Sequence, residues 1–387
     1  MRAVPQQDCA GVGRGLYEQV DARLTEVVVD SLQGMRERPF THMSREKRQR
    51  SERAQPAAHV QAAPTELVTR MLAGDRLALA KLITLIESRH ADTATVMGLV
   101  HNRCGRAYTI GVTGPPGAGK STLVDGLVSK LREHGHSIGV VAIDPSSPFS
   151  GGAVLGDRIR MQSHYLDEQV FIRSLSTRGS HGGLARATRQ VVQLLDAFGK
   201  EYVLVETVGV GQTELDVMRV ADTIIVVLVP EAGDTVQTMK AGLLEIADAF
   251  VVNKADREGA MRIKTELEMM LQLRPPSGWS IPVLLTQATT GEGVGAVLDA
   301  VLQHREHLRR SGTRAGRSAA VREDEFISAL RDEISRRLEA GGENGRFGLL
   351  LQRIRRGEID PYRAALEMIE DPQRVAALLS IPAIASK

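Results

Sequence analysis

Gly114, Pro115, Pro116, Gly117, Ala118, Gly119, Lys120, Ser121 and Thr122 join conformational freedom, one cation and two hydroxyls in a single loop. The spacing Gly114-x4-Gly119-Lys120-Ser121 is the phosphate-binding, or Walker A, pattern. Gly114, Gly117 and Gly119 let backbone N–H groups line a polyanion without Cβ clashes. Lys120 is placed to reach the β- and γ-phosphates, and Ser121 to offer its hydroxyl to Mg²⁺. An apolar run with Tyr108, Ile110 and Val112 precedes the loop, and an amphipathic run begins at Lys120. That order predicts strand, turn and helix, with the positive end of the helix on the phosphates. The loop binds a nucleotide.

A second constellation chooses the base. Asn253-Lys254-Ala255-Asp256 follows the apolar run Ala249–Val252. In that position the Asp256 carboxylate can accept both the ring N–H and the exocyclic amine of guanine. Adenine offers no such pair and would leave the carboxylate unpaired, a heavy penalty. GTP, with GDP as product, is therefore the expected nucleotide. The run Gln287, Ala288 and Thr289 is a further base-side loop, in which Gln287-Ala288 stands where Ser-Ala is usual. A contact made by backbone N–H survives that change.

Metal and trigger residues follow from the remaining strand ends. Glu206-x-x-Gly209 occupies the place of the usual Asp-x-x-Gly; Gly209 is placed to donate its N–H to the γ-phosphate, and Glu206 to reach the metal shell through water. Asp144 and Asp157 are further acidic candidates. Mg²⁺ takes only one or two protein oxygens directly, so Asp144, Asp157 and Glu206 cannot all be direct ligands at once. Gln212 is a candidate water orienter by analogy with other GTPases, with an ordinary loop amide as the alternative. The candidate catalytic set is Lys120, Glu206, Gly209 and Gln212. Arg158, Arg160 and Arg178 carry no signal that marks an arginine finger.

The elements that position these groups are legible as runs. Ile138–Ile143, Val170–Ser174, Tyr202–Glu206, Thr223–Val229, Ala249–Val252 and Pro282–Leu285 are short and rich in Val, Ile and Leu, and they alternate with helical patterns. This predicts a doubly wound, mainly parallel α/β sheet with the ligand at the carboxyl ends of the strands. Thr65 reads as the N-cap of a first helix, Gly74 as its end and Asp75 as the cap of a second. The expected organisation is an extension at 1–62, poorly ordered, then helices at 63–104 and a nucleotide domain at 105–308. A basic Gly- and Ser-containing linker at 309–320 leads to a helical arm at 321–387. On the arm Phe326, Leu330, Ile334 and Leu338 repeat at i,i+4, and Pro361 opens a last helix. Such a stripe docks on its own domain or pairs with a second chain; a homodimer is the expectation.

Composition narrows the class. The 387 residues carry a net charge of +2, too little for a general attraction to nucleic acid or to an anionic membrane. No apolar run approaches the roughly 18 residues of a membrane span. Two cysteines make neither a disulfide framework nor a Cys-rich metal site. The N-terminal stretch lacks the apolar core of a secretory signal and carries Asp8, Glu18, Asp21 and Glu26, unlike an acid-poor transit peptide. Cytoplasm is the expected location, with the mitochondrial matrix in reserve.

Taken together the motifs resemble the MeaB/ArgK-type GTPases that accompany methylmalonyl-CoA mutase. The likeness rests on GPPGAGKST at Gly114–Thr122, AIDPSSPFSGGAVLGDRIRM at Ala142–Met161 and VETVGVGQTE at Val205–Glu214. It extends to PEAGDTVQTMKAGLLEIADAFVVNKAD at Pro230–Asp256 and GEIDPYRAA at Gly357–Ala365. The resemblance implies a P-loop G-domain of the SIMIBI class, a homodimer with a helical arm, and slow intrinsic GTP hydrolysis. It also implies a chaperone role for an adenosylcobalamin-dependent acyl-CoA mutase, whose cofactor belongs to the partner and not to this chain. In the family's pattern Asp144, Asp157 and Glu206 fall on metal-site acids. The loop from Glu231 to Lys240 resembles an extra switch facing the mutase. Arg158-Ile159 departs from the family's Lys-Thr, which removes a hydroxyl from the first switch. Three other readings stand beside this one: a metallochaperone GTPase, an energising kinase for amino-acid transport, and a switch that holds GTP without physiological hydrolysis.

Overall fold

In the computed structural model of the chain, residues 63–88, 90–144, 161–176, 181–207, 209, 218–230, 242–274, 278–340, 346–371 and 373 are described. The chain divides into two units at Gln61/Ala62. The expected extension at 1–62 lies outside the described residues, as do Asp157, Gln212, the three loop arginines and the Glu231–Lys240 loop.

The apolar runs become β1 (Tyr108–Thr113), β2 (Ile138–Asp144), β3 (Val170–Ser176), β4 (Tyr202–Glu206), β5 (Thr223–Leu228), β6 (Ala249–Asn253) and β7 (Val283–Thr286). They form one seven-stranded sheet in the order β3-β2-β4-β1-β5-β6-β7, parallel in every pairing. β1, β4, β5 and β6 are buried along their whole length, as strands covered on both faces must be. Successive side chains point to opposite faces, so Val203 and Val205 enter one apolar layer while Tyr202 and Leu204 enter the other.

Helices cover both faces. α4 (Lys120–Glu133) and α7 (Val294–Ser311) pack on the face with Tyr202 and Leu204. The opposite face holds α5 (His181–Ala197) and α6 (Ala260–Gln272), together with the N-terminal helices α1 (Pro64–Leu72), α2 (Arg76–Glu87) and α3 (Thr93–Val100). Leu79, Leu82, Ile83 and Ile86 of α2 are buried in that layer. Arg76 ties α2 to the start of β3 through Glu168 O at 2.7 Å and Val170 O at 2.8 Å. Asp75 caps α2 by accepting from Leu77 N and Ala78 N. The expected Thr65 cap is corrected: Ala63 precedes the helix and Pro64 takes its first position, where a missing N–H costs nothing.

The expected linker at 309–320 is helical. α7 runs to Ser311, Gly312 turns the chain at φ 70°, and α8 (Thr313–Ala340) starts at once. Alanine and arginine favour helix enough to outweigh the scattered Gly and Ser. Beyond it lie α9 (Arg346–Arg355) and α10 (Pro361–Glu370), the latter capped by Asp360 with Pro361 first. Phe326 and Leu330 of α8 are 65% and 46% exposed, so this half of the apolar stripe is not spent on the chain's own core, while Ile334 is half-buried. Glu325 anchors the same helix to α5, accepting from Gln193 Nε2 at 2.9 Å with Arg189 Nε at 3.7 Å.

Candidate nucleotide site

The loop after β1 and the N-terminus of α4 are built as the motif requires. A Cβ on Gly114 would lie 2.1 Å from Val227 O, so only glycine lets the loop pass over β5. Gly119 precedes α4 in the left-handed region at φ 84°. Lys120 and Ser121 open the helix and are buried. Lys120 Nζ donates to Gly114 O at 2.9 Å and Pro115 O at 3.0 Å, which draws the ammonium across the loop. Ala118 N donates to Pro115 O, while Pro116 and Gly117 are exposed at the crest and Thr122 is half-buried.

The sheet register brings the metal-side residues to the same end. Glu206, last in β4, pairs with Val112 on one side and Ala142 on the other. Its Oε1 accepts from Ser121 Oγ at 2.6 Å, with both residues 4% exposed. A buried hydroxyl and carboxylate in contact are hard oxygen donors of the kind Mg²⁺ takes. Asp144 closes β2 two residues beyond Ala142, at the same edge of the sheet. Gly209 is held beside them: its carbonyl accepts from Thr113 Oγ1 at 3.0 Å. Thr207 Oγ1 lies 2.9 Å from Thr113 Oγ1.

On the base side Asn253 joins three motifs. Its Nδ2 donates to Ala118 O at 2.8 Å, inside the phosphate loop. Its Oδ1 accepts from Thr286 Oγ1 at 3.0 Å and from Ala288 N at 3.1 Å. A Cβ on Gly119 would lie 2.3 Å from Asn253 Nδ2, so the second glycine is required by this contact as well as by its φ. Lys254 has φ 57°, an uncommon left-handed conformation for a residue with a side chain. Ala255 N donates to Thr286 O at 3.0 Å, and Gln287 N to Glu292 O at 3.0 Å. These bonds set the two base-side loops side by side, with Asp256 and Thr289 exposed at their rims.

Sequence reasoning missed Thr113, Thr207 and Thr286, whose roles are tertiary and leave no spacing signal. Burial pushes the Lys200 ammonium down to about 8 and the Cys104 thiol up to about 11. Lys200 Nζ donates to Gln169 O at the opposite end of the sheet. A groove of about 700 Å³ between α6 and the edge strand β7, walled by Leu271, Trp279 and Val283, contains none of the nucleotide residues. Among the described residues no group of three or more His, Cys, Asp or Glu is disposed to hold a metal ion, and no helix is long and apolar enough to cross a membrane.

Known proteins match this arrangement. The family described as "Methylmalonyl Co-A mutase-associated GTPase MeaB" matches residues 79–343. A Pyrococcus abyssi protein named as a GTPase is 48% identical over 304 residues, 78% of this chain and 94% of its own length. GTPase ArgK of Escherichia coli is 35% identical, covering 69% of this chain and 82% of its own. The mouse protein named methylmalonic aciduria type A homolog, mitochondrial, is 32% identical, covering 77% of each. Among solved structures, one titled LAO/AO transport system kinase has a TM-score of 0.56 at 26% identity, covering 80% of this chain and 97% of its own.

Proposed function

Because this chain belongs to the family of MeaB-type methylmalonyl-CoA mutase-associated GTPases, we propose that it is a GTP-driven chaperone of an adenosylcobalamin-dependent acyl-CoA mutase, most simply methylmalonyl-CoA mutase. Its enzymatic class is GTPase, as for its named relatives. In this reading GTP binding and hydrolysis time the loading of the mutase's cofactor and its protection or reactivation.

Each step follows from a residue type at a place. Backbone N–H groups from Gly114 to Gly119 and the end of α4 receive the phosphates, and Lys120 neutralises charge on the β- and γ-oxygens. Ser121 and Glu206, with Asp144 and Asp157 as further acids, would hold Mg²⁺, which offsets charge between the β- and γ-phosphates when bound. Asp256 reads guanine, and the backbone at Gln287, Ala288 and Thr289 supports the base. Gly209 senses the γ-phosphate and Gln212 orients the attacking water. The observation that carries the nucleotide reading is Asn253, which ties the phosphate loop to both base-side loops.

The exposed stripe at Phe326 and Leu330 supports a homodimer through the arm. Neither nucleic acid nor membrane enters this scheme. The location proposed is the cytoplasm. The test is gel filtration of the protein with purified methylmalonyl-CoA mutase in the presence of GDP or of a non-hydrolysable GTP analogue. The reading expects a complex whose stability differs between nucleotides. Separate elution in both conditions would overturn the partner.

A further inference from the structure

We propose that the hydroxyls of Thr207 and Thr113 form a relay that restrains Gly209, so that the two threonines are positioning residues for discrimination between GTP and GDP. This rests on the reading of Gly209 as the γ-phosphate sensor.

The relay sits where two motifs meet. Thr113 is the last residue of β1, directly before Gly114, and Thr207 directly follows Glu206. Both are 0% exposed. Thr207 N donates to Val112 O at 3.1 Å, continuing the β1–β4 ladder one residue past the strand. Each hydroxyl has one hydrogen. Thr113 spends its hydrogen on Gly209 O at 3.0 Å. Thr207 spends its own on Thr113 Oγ1 at 2.9 Å, with Gly209 O at 3.3 Å as the alternative acceptor. Both hydrogens are therefore directed, at first or second hand, to one switch carbonyl.

The bond to the carbonyl acts on the position of residue 209. The Gly209 N–H and its carbonyl lie in successive peptide planes joined by φ and ψ, so the hydroxyls limit how far Gly209 can shift rather than fixing where its N–H points. The backbone and hydroxyl of Thr207 hold the chain two residues earlier. In the proposal, moving Gly209 toward a γ-phosphate beside Lys120 draws its carbonyl away from Thr113. In the same arrangement Lys120 Nζ is drawn onto Gly114 O and Pro115 O, and Ser121 Oγ onto Glu206. The groups that would meet the γ-phosphate and its cation are thus satisfied by protein atoms. Lys120 and Ser121 serve the β-phosphate and cation of either nucleotide, so of these bonds it is the one on Gly209 O, at the γ-phosphate sensor, that sets GTP apart from GDP. A carbonyl deprived of its buried donor favours any state in which it finds another.

The experiment measures affinities of full-length protein for GDP and for a non-hydrolysable GTP analogue with Mg²⁺. It compares wild type with Thr113→Val, Thr113→Ser, Thr207→Val and Gly209→Pro. Loss of one hydrogen bond from the restrained state predicts a five- to tenfold rise in the GTP-to-GDP affinity ratio for Thr113→Val, and a smaller rise for Thr207→Val. Thr113→Ser, which keeps the hydroxyl, retains the wild-type ratio. If both nucleotides weaken equally in the Val variants, or Ser fails as Val does, the threonines only fill space and the relay is wrong. Should Thr113→Val not fold, Thr207→Val, one bond further from the loop, decides the matter alone. Gly209→Pro separates the two ideas. Proline removes the N–H itself: a changed ratio there with unchanged Val variants refutes the relay alone, whereas an unchanged ratio in Gly209→Pro refutes the sensor reading and the relay with it.

Discussion

Replacing Asn253 by alanine removes a side chain that ties its own loop to the phosphate loop and to the second base-side loop. Three hydrogen bonds disappear: to Ala118 O at 2.8 Å, from Thr286 Oγ1 at 3.0 Å and from Ala288 N at 3.1 Å. Asn253 is only 3% exposed, so water does not readily replace it. At about 1 kcal/mol net for each bond, the aligned arrangement loses roughly 3 kcal/mol. The nucleotide needs the phosphate loop and the guanine loops at a fixed separation, so most of this cost falls on binding. That predicts a loss of GDP affinity of about 100-fold. Asn253→Asp is the stricter variant. It keeps an acceptor for Thr286 and Ala288 but sets an oxygen against Ala118 O, so it should bind no better than alanine. Titration with a fluorescent guanine nucleotide reads both variants, and thermal melting with and without saturating GDP reports whether they fold. Affinity within threefold of wild type in a folded Asn253→Ala protein would refute the reasoning.

Asp256→Asn should exchange guanine for xanthine, because the amide can donate to the 2-oxo group that replaces the amine; competition by xanthosine triphosphate should improve by at least about 100-fold relative to GTP. If the arm forms the proposed homodimer, Phe326→Glu combined with Leu330→Glu should leave only monomer in sedimentation velocity where wild type sediments as a dimer, with nucleotide binding within about twofold. Lys200 gives a pH prediction with a definite sign. Its native value of about 8 lies below the ordinary 10.5, so below pH 8 the full cost of burying the cation is present. Between pH 8 and 10.5 the unfolded chain holds a proton the native state has released, and stability rises with pH. Lys200→Met, neutral throughout, should therefore show its largest melting-temperature advantage over wild type near pH 7 and lose it toward pH 10. A pH-independent difference in scanning calorimetry would contradict this.

The strands were legible because burial on both faces demands nearly continuous Val, Ile and Leu, and each observed strand agrees with its run to within about two residues. The phosphate loop was legible because its glycines recur at a fixed short spacing before Lys120 and take positive φ, a local demand; the tertiary contacts that also require Gly114 and Gly119, with Val227 O and Asn253, leave no local mark. In the sequence Asn253 is only one letter of a guanine motif. Its bonds join residues far apart in sequence, and no local pattern encodes them. The same holds for the Thr113–Thr207 pair, which exists because β1 and β4 are neighbours in the sheet. Two errors were local. Thr65 resembles a cap, but Pro64 already suits the first helical turn. The 309–320 segment has linker-like Gly and Ser, yet its Arg and Ala content carries the helix, with only Gly312 interrupting. Helix α3, Thr93–Val100, leaves little trace in the sequence because TATVMGLV is short and rich in β-branched residues.

The most direct test is steady-state GTP hydrolysis by the purified protein, alone and with methylmalonyl-CoA mutase, beside a Lys120→Ala control. The account predicts at least a tenfold stimulation by the mutase, about 1.4 kcal/mol of barrier, and no turnover in the control. Turnover that ignores the mutase at saturating concentration, with an active wild type and a dead control, would contradict the proposed partnership.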